Sequence, residues 1–163
     1  MREVYRILDI IKGTTVDGPG FRTSIYFAGC NHHCKGCHNP QSWDPEEGKE
    51  FSLEEILRIV EEEDFDVTLS GGDPLFYPEN IAMLIKALKN HRRNVWIYTG
   101  YTWEEIMSSP ELYNSIKEAD VLVDGRYEQE SRNPDLPFRG SSNQKIIDIP
   151  KSLASGKLVE LTR

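Results

Sequence analysis

The hydrophobic pattern of this chain switches repeatedly between short apolar runs and stripes at helical spacing. Ile25, Tyr26 and Phe27 form an apolar run within residues 22–28 that stops at Gly29, which predicts a strand. Ser52, with Glu55 three residues later, has the layout of a capping box, and Leu53, Ile56, Leu57 and Val60 then follow as one stripe. Glu61, Glu62 and Glu63 close that helix, and acids there oppose the helix dipole, so fraying is expected. A second strand over residues 66–70 runs into Gly71-Gly72-Asp73-Pro74. Pro78 suits the first turn of a helix whose Ile81, Leu84, Ile85 and Leu88 repeat the stripe. Residues 95–99 predict a third strand ended by Gly100, and 121–123 a fourth ended by Asp124-Gly125. Between these two, residues 103–107 and 111–118 read as short helices parted by Ser109-Pro110. Residues 145–149 suggest a fifth strand, and residues 5–11 a further one at an edge.

Strand and helix in alternation imply right-handed βαβ units, an α/β fold and a mainly parallel sheet. In such sheets ligands bind beyond the C-terminal ends of the strands. The chemically notable residues fall there: Cys30 after the first strand, Gly71 and Gly72 after the second, Gly100 after the third and Asp124 after the fourth. A closed eight-stranded barrel takes about 200–250 residues. The expected architecture is therefore an open, partial (β/α) barrel, formed as a single domain over residues 1–163.

Composition narrows the function. A formal net charge of −8 argues against nonspecific binding to nucleic-acid phosphates. The basic run His91, Arg92, Arg93 reads as a solvated helix end. No apolar stretch is long enough for a membrane span, and the first twelve residues alternate apolar and charged types without a signal-peptide layout, so the expected location is the cytoplasm. Cysteines there stay reduced, which makes a disulfide framework improbable.

All three cysteines lie in one window, Cys30-Asn31-His32-His33-Cys34-Lys35-Gly36-Cys37. Thiolates are soft ligands suited to iron–sulfur clusters or zinc. A 4Fe–4S cube ordinarily takes four protein ligands, so three thiolates leave one iron open to a small ligand. The competing reading is a Cys₃His zinc site completed by His32, His33 or His38. Structural zinc sites usually gather two separated ligand pairs, and this loop has no second pair.

Cys-x₃-Cys-x₂-Cys after a first strand is similar to the signature of the radical S-adenosylmethionine enzymes. In that family three thiolates bind a 4Fe–4S cluster, and the amino and carboxylate groups of S-adenosylmethionine chelate the fourth iron. The family often has an aromatic residue before the third cysteine, where this chain has Gly36. Val16-Asp17-Gly18-Pro19-Gly20-Phe21-Arg22 and Cys37-His38-Asn39-Pro40-Gln41-Ser42-Trp43 resemble segments of the activating enzymes of glycyl-radical proteins. Gly71-Gly72-Asp73-Pro74-Leu75, Trp96-Ile97-Tyr98-Thr99-Gly100-Tyr101, Val121-Leu122-Val123-Asp124-Gly125 and Phe138-Arg139-Gly140-Ser141-Ser142-Asn143-Gln144 resemble the branch of that family serving anaerobic ribonucleotide reduction, where glycine before the third cysteine is usual. The likeness spans about residues 16–147.

The resemblance implies a radical S-adenosylmethionine fold with Cys30, Cys34 and Cys37 as cluster ligands. It implies that Gly71, Gly72 and Asp73 hold the methionine amino group, with Gly36, Cys37 and His38 beside the cluster and Thr99 and Asp124 toward the methionine or ribose. Glycines permit close backbone approach to a ligand, and a carboxylate suits an ammonium. The plainer alternative for Asp73 is a tight turn with its carboxylate on local amides. His32 and His33 read as shielding for the cluster loop, and the Asp17-Gly18-Pro19-Gly20 turn as part of the surface the partner meets. The implied protein substrate is a large anaerobic ribonucleoside-triphosphate reductase, the implied electron donor a reduced flavodoxin-like protein, and no nucleic-acid or membrane partner is implied. Two other functions stay open on the residues alone: a radical enzyme acting on a small molecule such as a deazapurine precursor, and a zinc-stabilised binding module.

Overall fold

The computed structural model describes residues 4–37 and 40–161. A hairpin opens the chain: β1 (Val4–Thr14) pairs antiparallel with β2 (Arg22–Phe27). A connection this short permits only antiparallel pairing. β3 (Lys49–Ser52) then adds to the far side of β1, also antiparallel. Three crossovers follow. α1 (Leu53–Glu63) leads to β4 (Asp66–Gly71), α2 (Pro78–Asn90) to β5 (Val95–Tyr98), and α3 (Trp103–Met107) with α4 (Pro110–Ile116) to β6 (Val121–Asp124). β7 (Lys145–Asp148) and α5 (Ile149–Ser155) end the series.

The seven strands form one sheet in the order β3-β1-β2-β4-β5-β6-β7. β2, β4, β5 and β6 are parallel neighbours, whereas both flanks are antiparallel. The expectation of a mainly parallel sheet is thus corrected to a mixed one with a parallel centre. The N-terminal strand is also not the edge, because β3 covers it.

Alternation along the strands sends side chains to two different cores. Ile25, Phe27, Val67, Leu69, Ile97 and Leu122 pack on the helix side with Ile56, Val60 and the Ile81, Leu84, Ile85, Leu88 stripe of α2. Trp96, Val121 and Val123 face the other way, against Phe138 and Ile146. On that face Arg22 is 2% exposed. Its guanidinium donates to Thr68 Oγ1, to the carbonyls of Pro19, Val67 and Asn94, and to Asn94 Oδ1.

The Ser52–Glu55 capping box is present at the start of α1. At its other end the helix runs through Glu63 and closes on Asp64, which adopts the left-handed conformation at φ 55°. Arg93 bridges Glu61 and Asp64, and His91 meets Glu61 at 2.9 Å. Those contacts from the end of α2 place basic groups against the acid-rich terminus.

Candidate functional site

Backbone hydrogen bonds hold the start of the loop that follows β2. Gly29 N–H donates to the Ser42 carbonyl at 2.7 Å and Cys30 N–H to that of Trp43 at 3.3 Å. Gly72 N–H reaches back to the Phe27 carbonyl and Asp73 N–H to that of Gly29, both at 2.8 Å. Three chain segments therefore cross at one point. A Cβ at Gly71 would lie 2.2 Å from Phe27 N, and one at Gly72 2.5 Å from the Gly29 carbonyl oxygen. Glycine is required at both because backbone passes where a side chain would stand. Gly36 has a different reason: φ is +78° as the loop turns from Cys34 to Cys37, where Cys37 N–H meets the Cys34 carbonyl at 3.1 Å.

Cys30, Cys34 and Cys37 line one cavity of ≈ 190 Å³. Further walls come from the strand ends: Ser70, Gly71 and Gly72 at the end of β4, Tyr98, Thr99 and Gly100 at the end of β5, and Gly125, Arg126 and Tyr127 after β6. The cavity is thus at the C-terminal ends of the parallel strands, where the topology rule puts a ligand. All three cysteines are free thiols. Burial pushes the Cys30 and Cys34 thiols up, and backbone donors together with Arg126 pull the latter back. Three soft donors on one wall fit an iron–sulfur cluster.

The structure gathers Cys30, Cys34, Cys37, Gly71, Gly72 and Thr99 around this cavity. Asp73 stands behind its wall, 2% exposed, and accepts hydrogen bonds from Leu75 N, Thr99 Oγ1 and Gly100 N. Asp124 is turned away. It is 2% exposed and accepts from Trp103 N at 2.8 Å and Lys145 N at 3.0 Å, while its neighbour Val123 faces the cavity. Burial raises the Asp124 carboxyl. Gly36 shapes the loop from an exposed position, and His38 lies outside the described residues. Of the two histidines within the cysteine window, His32 pairs with Asp73 at 2.6 Å and His33 stacks on Trp43 at 4.3 Å.

Sequence reasoning missed Ser70, Tyr98, Arg126 and Trp43 as cavity residues. Arg126 had a readable signal, a cation just past a strand end. Glu105 grips it through two contacts of 3.0 and 3.3 Å. The Arg126 guanidinium, helped by the Thr102 amide, holds the Glu105 carboxyl down at about 2. A depressed acid contributes stability that is complete above its ordinary value near 4 and is lost as pH falls toward 2. Both side chains are about two-fifths exposed, so the pair is worth under about 1 kcal/mol. Glu105→Gln can keep the helix-capping contact from Thr102 N on its amide oxygen, and removes the charge together with the acceptor for Arg126 Nη2. Urea unfolding is expected to separate it slightly from the parent at pH 6, with the gap closing at pH 2.

The 4Fe-4S single cluster domain family matches residues 16–147, which defines the class of this fold and site. Within that class, the chain is 34% identical over 142 residues to the anaerobic ribonucleoside-triphosphate reductase-activating protein of Pasteurella multocida (strain Pm70), covering 80% of this chain and 89% of the relative. The protein of that name from Vibrio cholerae is also 34% identical over 142 residues, with 80% and 90% covered. That of Enterobacteria phage T4 is 34% identical over 140 residues, with 80% and 86% covered. The chain belongs to the family of anaerobic ribonucleoside-triphosphate reductase-activating proteins.

Proposed function

We propose that this chain activates an anaerobic ribonucleoside-triphosphate reductase by generating a glycyl radical on it, with a 4Fe–4S cluster on Cys30, Cys34 and Cys37 and S-adenosylmethionine bound alongside. The observation that carries this reading is the single cavity shared by the three thiols and the Gly71–Gly72 backbone. A reduced cluster held by Cys30, Cys34 and Cys37 would supply the one electron needed for reductive cleavage of S-adenosylmethionine, the chemistry that would furnish the hydrogen-abstracting 5′-deoxyadenosyl radical for the reductase glycine.

The chain's own residues bind, orient and exclude water. Gly71 and Gly72 let the backbone approach the methionine amino group closely. Arg126, held by Glu105, offers the guanidinium that suits a carboxylate. Thr99 closes the wall between them. Two of the three histidines weighed as a zinc ligand are engaged elsewhere, His32 with Asp73 and His33 with Trp43, which favours the cluster over zinc. On this reading the open sheet is a partial (β/α) barrel of the radical S-adenosylmethionine type, residues 1–163 act as one domain, and the electron arrives from a reduced flavodoxin-like protein in the cytoplasm. Among the described residues no helix is long and apolar enough to cross a membrane.

Mixing the reduced, cluster-loaded protein with S-adenosylmethionine and the reductase is expected to give 5′-deoxyadenosine and a glycyl-radical EPR doublet. An intact cluster that yields neither contradicts the proposal.

A further inference from the structure

His32 sits between two of the cavity cysteines and borders the cavity itself, and its side chain reaches across to the turn after β4. Its Nε2 lies 2.6 Å from Asp73 Oδ2, and the two side chains are 5% and 2% exposed. The imidazole stands edge-on to Tyr101, ring centres 4.7 Å apart. A Cβ at Gly100 would fall 2.4 Å from the ring, so the end of β5 is shaped around it. The ring is therefore clamped on several sides.

The acceptor Asp73 is fully used. A carboxylate has about four lone-pair sites. Here it receives Leu75 N at 2.9 Å, Thr99 Oγ1 at 2.9 and 3.0 Å, Gly100 N at 3.0 Å and His32 Nε2. It has nothing left to offer a cationic ligand, and serves instead to tie three segments together. One is its own Gly71-Gly72 turn, one is the end of β5, and the third is the cysteine loop, which joins through His32.

We infer that His32 is a positioning residue that sets the loop bearing Cys30 and Cys34 against the Gly71–Gly72 backbone, so that the cluster and the nucleotide it addresses are held in register. The inference rests on the function proposed above and extends it to a residue with no place in the ligand set. Its effect runs through Asp73, because outer groups that orient a metal site commonly change affinity or activity by about 10–100-fold when removed.

The test uses the full chain reconstituted anaerobically, with three readouts: iron and sulfide per chain, the EPR spectrum of the reduced cluster with and without S-adenosylmethionine, and the dissociation constant for that nucleotide. His32→Ala is expected to load iron as the parent does, to bind S-adenosylmethionine about tenfold more weakly or worse, and to lose most of the nucleotide-induced change in the EPR spectrum. His32→Gln, whose amide can donate to Asp73, is expected to recover most of both. Gly100→Ala, whose methyl would press on the ring while the sequence of the cysteine loop stays the same, is expected to match His32→Ala, and the double variant to be no worse than either. Parent-like affinity and EPR response in His32→Ala overturn the inference. So does failure of both His32 variants to load iron, which would make the residue a determinant of cluster assembly. A parent protein whose cluster ignores S-adenosylmethionine marks failure of the function proposed above, whatever the variants do.

Discussion

Chains carrying Cys30→Ala, Cys34→Ala or Cys37→Ala should leave anaerobic reconstitution without a stable cluster and form glycyl radical only at background level. The three thiols are the soft donors of this cavity, and the sequence contains no other cysteine to replace one of them. Among the described residues no three or more His, Cys, Asp and Glu side chains converge closely enough to hold a single metal ion, the three cysteines included. His32 is committed to Asp73 and His33 to Trp43. The fold should tolerate these changes. Cys34 and Cys37 are only half-buried on a loop whose path is set by the backbone crossing of Gly29, Ser42 and Gly72. Far-ultraviolet circular dichroism is therefore expected to be unchanged while iron and sulfide content falls for all three. Near-full iron content in any one of them would remove that cysteine from the ligand set.

The largest effect on stability is expected at Arg22. Its side chain fills the cavity-side core beneath Trp96, with Cζ 5.7 Å from the indole centre. It joins the Pro19 turn to the strand ends at Val67 and Asn94. Desolvation pushes its pKa down from the ordinary arginine range, and the nearby Asp66 charge opposes that shift. Arg22→Ala strips the donors from several buried acceptors at once and leaves a void, which should cost about 3 kcal/mol. Arg22→Lys should recover little of this, since one ammonium cannot reproduce a planar fork of donors. Urea unfolding of both variants measures the loss. The Asp17–Gly20 turn should loosen with it, because Gly18 packs directly on the arginine stem, where a Cβ would lie 2.7 Å from Cδ.

Much of the fold was legible because most elements carry their own signal. The stripe on α2, the cap at Ser52 and the apolar runs of β2, β4, β5 and β6 are local features, and all are observed. β3 was not legible. Lys49-Glu50-Phe51-Ser52 is short and largely exposed, and it becomes a strand only by pairing with β1, which no local pattern records. Charged residues are common on such edges. Without β3, the N-terminal strand looked like the edge.

The site divided along the same line. Cysteine spacing and strand-end position pointed to the thiols, Gly71, Gly72 and Thr99, and these line one cavity. Asp124 was placed by its position at a strand end, but which way a side chain faces depends on a parity of one residue: Val123 looks into the cavity and Asp124 away from it. The His32–Asp73 pair spans forty-one positions in the chain, and no spacing rule reaches across the fold to find it.

The central claim is a 4Fe–4S cluster held by three thiolates with a fourth iron open to S-adenosylmethionine. It is tested most directly by metal and sulfide analysis of the anaerobically reconstituted chain, followed by EPR of the reduced protein with and without the nucleotide. The account predicts about four irons and four sulfides per chain, together with a reduced-cluster signal that changes shape when S-adenosylmethionine is added. Stoichiometric zinc without sulfide, or a cluster signal indifferent to the nucleotide, would contradict it.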